Sequence, residues 1–234
     1  MIDKKLVITI DGPAGAGKTT VSRILAERLE YTYVDTGALY RGIALKAAER
    51  DIDPEDDDAL FDLCADLNME LKRVGNETRL VVDGRDVTSD IRTPRITMLA
   101  SAVSARAPVR RHLLEIQREM GRKREVVFEG RDMGTVVFPE ADAKFYLDAS
   151  PGERAARRYN DLRHDASVTL ETVERQMAKR DRDDSTRVMA PLKPADDAMV
   201  IDSSDKSIEE VVSLMQSHII RLFGANVSPR IDGA

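Results

Sequence analysis

Apolar residues in this chain gather in five short runs, at 6–10, 31–34, 126–129, 144–148 and 199–202. The first, Leu6-Val7-Ile8-Thr9-Ile10, has the length and β-branching of a buried strand, and the other four read the same way. Between them the period lengthens to that of helices. Val21, Ile24, Leu25 and Leu29 mark a helix over 19–29, and Leu39, Ile43, Ala44 and Ala47 mark another over 38–50. Asp53 as N-cap and Pro54 in the first turn predict a further helix, whose acidic start suits the positive end of its dipole. A metal site is the alternative at that acidic run, but helix starts collect acids for electrostatic reasons alone. Thr93-Pro94 opens a helix through Val103, and Pro108 opens one carrying Val109, Leu113, Leu114 and Ile116. Ser207 to Glu210 is a capping box, and the helix it starts places Ile208, Val211, Val212, Met215, Ile219 and Leu222 on one side.

Strands alternating with helices predict an α/β fold: three layers, with a central parallel five-stranded sheet and helices on both faces. One interval breaks the alternation. Met69 to Lys72, a turn at Gly75-Asn76, Leu80 to Val82, a turn at Asp83-Gly84 and then Val87 read as a small antiparallel meander. It is expected to be an inserted substrate subdomain. In parallel sheets the ligand lies beyond the carboxyl ends of the strands. The polar groups there are Asp11, Asp35-Thr36, Glu129-Gly130-Arg131-Asp132 and Asp148, which are expected to converge on one crevice.

Composition narrows the field. At 234 residues the chain can bury a substantial core, and its formal charge of −6 argues against a nucleic-acid polymer as partner. Small phosphorylated ligands need only a local group of arginines. The single cysteine, Cys64, excludes an internal disulfide and fits a reducing cytoplasm; it falls among Leu60, Leu63 and Leu67 at helical spacing, as a small core residue does. No leader and no apolar stretch near ~18 residues is visible, so neither export nor membrane insertion is expected. His112, His164 and His218 stand apart and read as structural or solvated. The tail from Asn226 to Ala234 lacks periodicity and is expected to fray, and a monomer is the default state.

The candidate chemistry starts directly after the first strand. Gly12-Pro13-Ala14-Gly15-Ala16-Gly17-Lys18-Thr19 is a complete phosphate-cradling loop, lying between a predicted strand and a predicted helix. Its glycines let consecutive N–H groups face one anion, and the helix N-terminus adds partial positive charge. Lys18 would reach the β- and γ-phosphates of a nucleoside triphosphate, and the Thr19 hydroxyl would ligate Mg²⁺. A bound triphosphate serves either a switch or a transfer. From 151 to 190 there are eight arginines interleaved with acids, and most of them read as a salt-bridged, solvated helix pair. The run Arg180-Asp181-Arg182-Asp183-Asp184 is different, since guanidinium groups clamp the charge that phosphoryl transfer spreads over oxygens. A flap that brings arginines in on closing would also exclude water. No nucleophile–base pair is evident. None is needed if the acceptor is a phosphate monoester, whose second pKa near ~6 leaves it ionised at neutral pH.

These residues carry a resemblance. The stretches Ile10-Asp11-Gly12-Pro13-Ala14-Gly15-Ala16-Gly17-Lys18, Asp35-Thr36-Gly37-Ala38-Leu39-Tyr40-Arg41, Ile91-Arg92-Thr93, Gly130-Arg131-Asp132-Met133-Gly134-Thr135 and Ala190-Pro191-Leu192 closely resemble bacterial cytidylate kinases, and the similarity runs from about 6 to about 223. The resemblance implies a nucleoside monophosphate kinase fold of three parts. A core would comprise 1–40, 124–150 and 191–225. A CMP-binding region would cover 41–123, with the meander at 69–87, and a short helical lid would cover 151–190. The implied reaction is phosphorylation of CMP or dCMP by ATP with Mg²⁺. Lys18, Arg131 and Arg180 would be catalytic, with Arg41 and Arg131 on the acceptor phosphate, helped by Arg180. Gly12 to Gly17 with Lys18, Thr19, Thr20 and Arg157 would hold ATP. Ser101, Arg110 and Asp132 would read the cytosine edge, and Thr36, Asp184 and Arg187 would contact the sugar or phosphate region. Glu129 would meet Mg²⁺ through a water, or pair with an arginine instead. In the lid, Arg180 and Arg182 are open to exchanging roles. Thr36 stands where many relatives carry serine, and Glu129 where aspartate is common.

Cytosine presents an N4 donor with N3 and O2 acceptors, so a carboxylate beside hydrogen-bond donors suits it; uracil reverses the pattern at positions 3 and 4. Other acceptors (UMP, AMP, shikimate) define the competing kinase reading. A nucleotide switch or sensor is the competing reading from another class, though a guanine-reading Asn-Lys-x-Asp segment is missing.

Overall fold

A computed structural model describes residues 5–74, 77–162 and 168–224. The turn expected at Gly75-Asn76, His164 and the tail from Asn226 lie outside the described residues. In chain order the elements are β1 (Val7–Asp11), α1 (Lys18–Leu29), β2 (Thr32–Asp35), α2 (Thr36–Glu49), α3 (Asp57–Asp66), β3 (Met69–Val74), β4 (Glu77–Val82) and β5 (Arg85–Asp86). There follow α4 (Pro94–Ser104), α5 (Ala107–Arg122), β6 (Val126–Glu129), β7 (Ala143–Asp148), α6 (Pro151–Leu162), α7 (Leu170–Thr186), β8 (Met199–Asp202) and α8 (Ile208–Phe223). The chain divides into two compact units, one of residues 1–33 with 124–234, the other of residues 34–123.

The first unit is built on a five-stranded sheet of order β2-β6-β1-β7-β8. β1 runs parallel to β6 and β7, and β7 parallel to β8. Every residue of β1 is buried, which explains its unbroken apolar run. Leu6, Ile8 and Ile10 pack with Val21 and Leu25 of α1 and with Val211, Val212, Met215 and Ile219 of α8. At about 1.5–3 kcal/mol for each fully buried aliphatic side chain, this seam is a main source of the unit's stability. The capping box at Ser207 and Glu210 is present. Two residues expected on the buried side of α8, Ile208 and Leu222, are instead about half exposed, because they flank the stripe whose centre fills the seam. His218 packs edge-on to Phe145, with ring centroids 5.5 Å apart.

The second unit holds a three-stranded antiparallel sheet, β3-β4-β5, as the change of period predicts. Asp83 and Gly84 take positive φ (50° and 81°), the conformation a tight hairpin demands. The sheet packs on α2 at Gly42, where an added Cβ would lie 2.7 Å from Leu80 Cδ2 and Met69 Cε. The third helix starts later than expected. Its N-cap is Asp56, whose carboxylate accepts from Ala59 N at 3.0 Å. Asp53 is occupied differently: its side chain accepts from Glu55 N at 2.9 Å and its carbonyl from Asp56 N at 3.0 Å, closing a turn before the helix. Cys64 is buried with Leu60, Leu63 and Leu67, and burial pushes its thiol up to about 11. His112 is half-buried on α5, and burial lowers its pKa. Among the described residues no helix is long and apolar enough to cross a membrane.

Candidate active site

The phosphate loop leaves β1 at Asp11 and enters α1 at Lys18. Gly12 has φ 145°, and a Cβ there would fall 1.9 Å from the Leu147 carbonyl oxygen, so only glycine fits against β7. Gly17 caps α1 in the left-handed region with φ 89°, offers no side-chain acceptor, and is followed by no acid in the first turn. The leading N–H groups of α1 are therefore left for an anion, which is what a triphosphate supplies. Lys18 is buried and donates to the Pro13 carbonyl at 2.6 Å. Burial lowers its pKa to about 7, and the charges of Arg131 and Arg180 push the same way, against Glu129 and Asp11.

Three cations thus face one another beside the loop, which fits a polyanionic ligand. With burial lowering its pKa to about 7, Lys18 in the free protein is expected to give up its charge as pH rises above neutral. A bound polyphosphate raises its pKa again, so binding takes up a proton. Titration calorimetry of ATP with Mg²⁺ in buffers of different ionisation enthalpy should show uptake of up to about one proton at pH 8, declining toward pH 6. The Lys18→Ala variant should show none.

The Thr19 hydroxyl donates to Glu129 Oε1 at 2.9 Å, and Tyr33 donates to Glu129 Oε2 at 2.5 Å. A hydroxyl and a carboxylate at the loop are hard oxygen donors of the kind Mg²⁺ prefers. Tyr33 was not foreseen; its place at the end of a predicted strand carried no chemical signal. Arg157 donates to the Ser203 hydroxyl at 3.1 Å and to the Ser203 carbonyl at 2.8 Å. Its Nη1 lies 3.8 Å from where a Cβ on Gly17 would be, which puts it beside the loop. Thr20 is exposed on the first turn of α1.

Around the arginines, Asp184 is the hub. Arg131 Nε lies 3.3 Å from it, Arg187 Nη1 3.8 Å and Arg180 Nε 3.9 Å. Arg187 also approaches the buried Asp132 at 3.7 Å. Arg182 is exposed, so of the two arginines near the end of α7 it is Arg180 that turns into this group. Arg154 was missed altogether. It is buried on α6 and donates to Ala149 O at 2.9 Å, Ala14 O at 3.2 Å and Asp181 at 2.6 Å, joining the phosphate loop to α7. Among so many charges on α6 nothing in the sequence marked this arginine as the inward one. The exposed Lys179–Asp183 pair matches the expected salt-bridged surface, whereas the Arg157–Glu153 pair is only partly exposed.

The second unit holds the remaining candidates. Thr36 is buried at the start of α2, behind its N-cap Asp35. Asp35 also pairs with Arg41 at 2.7 Å, and the Arg41 Nε is buried with no hydrogen-bond partner. Gly37 permits that fold-back, since a Cβ there would sit 3.1 Å from both Arg41 Nη1 and Asp35 Oδ1. Arg110 is buried, lies over the Tyr40 ring and donates to Ser104 O at 3.0 Å. Ser104 in turn donates to the Ser101 carbonyl at 2.8 Å, so Arg110 of α5 meets the last turn of α4, which carries Ser101.

Comparison with known proteins gives the family. The family profile described as cytidylate kinase matches residues 8–221. A protein named cytidylate kinase from Geobacter sulfurreducens is 50% identical over 213 residues, covering 91% of this chain and 91% of that protein. One of the same name from Bacillus cereus is 40% identical over 223 residues, covering 95% and 99%. A solved structure of an uncharacterized protein from Eubacterium ventriosum superposes with a TM-score of 0.52 at 13% identity, covering 93% of this chain and 99% of that one, and shows a shared fold. Matching along nearly its whole length, and with phosphate loop, arginine hub and antiparallel insertion in place, the chain belongs to the cytidylate kinase family.

Proposed function

We propose that the protein transfers the γ-phosphoryl group of ATP to CMP and dCMP, giving ADP with CDP or dCDP. The observation that carries this reading is the grouping of Lys18, Arg131 and Arg180 at the phosphate loop, close enough that the two arginines depress the lysine. Hydrolytic switching brings a neutral water to the triphosphate and can proceed with the loop lysine and one arginine, so it does not call for two arginines beside the lysine. In-line transfer between two phosphates does, because both reactants are anions and charge spreads over the transferred oxygens. An oxygen of the acceptor phosphate attacks phosphorus, the bond to the β-phosphate oxygen breaks, and ADP leaves with that electron pair. The acceptor oxygen is already ionised at neutral pH, so no general base is required.

Within this reading Gly12 to Gly17, Lys18, Thr19, Thr20 and Arg157 hold ATP. Arg41 and Arg131, helped by Arg180, hold the acceptor phosphate, and Thr36, Asp184 and Arg187 meet its sugar or phosphate. Ser101, Arg110 and Asp132 read cytosine. Thr19, with Glu129 acting through a water, would hold Mg²⁺. Mg²⁺ held there would supply neutralisation of the phosphate charge. Residues 1–40, 124–150 and 191–225 serve as the core, 41–123 as the acceptor region and 151–190 as the lid. The buried thiol of Cys64 suits a reducing cytoplasm, and the reading takes the working unit as a monomer. The test is ADP formation from ATP and Mg²⁺ with CMP, dCMP, UMP, AMP or shikimate as acceptor. Fast turnover confined to CMP and dCMP is expected. Turnover with AMP or shikimate alone, or acceptor-free hydrolysis, would overturn the assignment.

A further inference from the structure

The residue just before the phosphate loop has a second task. Asp11 is buried at the end of β1, and both its oxygens are used: Oδ1 accepts from Met133 N at 2.9 Å and Oδ2 from Gly134 N at 2.8 Å. One residue earlier, the Ile10 carbonyl accepts from Gly130 N at 3.1 Å. Consecutive residues of β1 therefore clamp the neighbouring segment on either side of Arg131 and Asp132, and those two residues are all that lies between the clamps.

The turn that follows shows why the second clamp is needed. Residues 133–137 form one π-type turn whose preceding residue, Asp132, makes no side-chain cap. The first N–H groups of such a turn need acceptors. Asp132 is spared that duty because Asp11 caps the turn from across the sheet. The fit is close: a Cβ on Gly134 would stand 3.0 Å from Thr9 Oγ1, 3.2 Å from Lys144 Cδ and 3.4 Å from Asp11 Oδ2. Burial raises the Asp11 carboxyl to about 6 against the pull of its two N–H bonds, so the fold bears a cost to keep an anion at this position.

We propose that Asp11 is a positioning residue that fixes the direction of Asp132 and so sets discrimination between cytosine and uracil acceptors. The inference rests on the reading of Asp132 as the base-reading carboxylate. Asp11→Asn keeps the shape but offers one oxygen acceptor and turns an NH₂ group toward the other N–H, which pushes the turn away.

The experiment measures kcat/KM for CMP and for UMP, KM for ATP and Tm, in the full-length parent, Asp11→Asn, Asp132→Asn and the double variant. Asp11→Asn should lower the CMP-to-UMP ratio about tenfold, with KM for ATP within about twofold of the parent. The double variant should discriminate no worse than Asp132→Asn, because the two residues act through one contact. A lowered ratio in Asp132→Asn beside an unchanged ratio in Asp11→Asn overturns the inference, even if activity on both acceptors falls in parallel. An increase in KM for ATP as large as that for CMP overturns it too, by placing the effect on the phosphate loop. An unchanged ratio in Asp132→Asn removes the base-reading assignment, and the inference with it. Should Asp11→Asn fail to fold, Gly134→Ala displaces the same turn from its other side and is read by the same ratio, with the same two results deciding.

Discussion

Lys18→Ala is expected to lower kcat on the order of 10³-fold with CMP as acceptor, measured at saturating ATP and Mg²⁺. The lysine is the cation at the loop itself, buried and donating to the Pro13 carbonyl. An interaction made mainly with the transferred phosphoryl group is lost from kcat more than from KM. The loss should come without a matching loss of stability. Burial holds the folded pKa of Lys18 near 7, below the ordinary 10.5. The unfolded chain therefore binds more protons between those values, and folding of the free parent grows more favourable as pH rises through that window. The variant lacks this dependence, so a Tm series from pH 7 to 10 should be flatter for Lys18→Ala than for the parent. Turnover close to that of the parent would remove the lysine from the transferred phosphate.

The second large effect is expected at Asp132. Asp132→Ala should raise KM for CMP by about 100-fold and bring CMP and UMP within about tenfold of each other in kcat/KM, as measured with both acceptors at fixed ATP. Two losses combine. On the base-reading assignment the site forfeits an acceptor for the N4 amino group, and Arg187, 3.7 Å from Asp132 in the parent, loses that carboxylate neighbour. A group built to hydrogen-bond discriminates strongly because a mismatched or missing partner strands buried polar atoms. Discrimination equal to that of the parent would take Asp132 out of base reading.

Much of this was legible in residues alone, for a definite reason. The loop from Gly12 to Thr19 is contiguous, and its chemistry depends on backbone conformation that glycine dictates locally. The strands at 126–129 and 199–202 and the capping box at Ser207 are likewise local, set by periodicity and by one side chain reaching three residues on. Where local signals competed, the sequence misled. Asp53-Pro54 looks like a helix start, yet Asp53 closes its own turn and Asp56 does the capping. Ile208 and Leu222 share a helical face with Val211 and Ile219, but the stripe is wider than the seam it fills.

What no pattern contained is partnership between distant segments. Asp11 and Gly134 are 123 positions apart, Arg154 and Ala14 140, and Thr19 and Glu129 110. Each of these is a charged or polar group whose exposed and buried readings look alike in sequence, since charge alone does not say which way a side chain points. By itself the sequence determined the strands, most helices, the phosphate loop and the family, because all are encoded by short-range periodicity and contiguous motifs. Only the tertiary structure decided which arginine of α7 turns inward, which carboxylate caps the turn after Asp132 and in which direction burial shifts Lys18. Those outcomes follow from burial and from the fields of neighbours, which exist only once the sheet has brought its strand ends together.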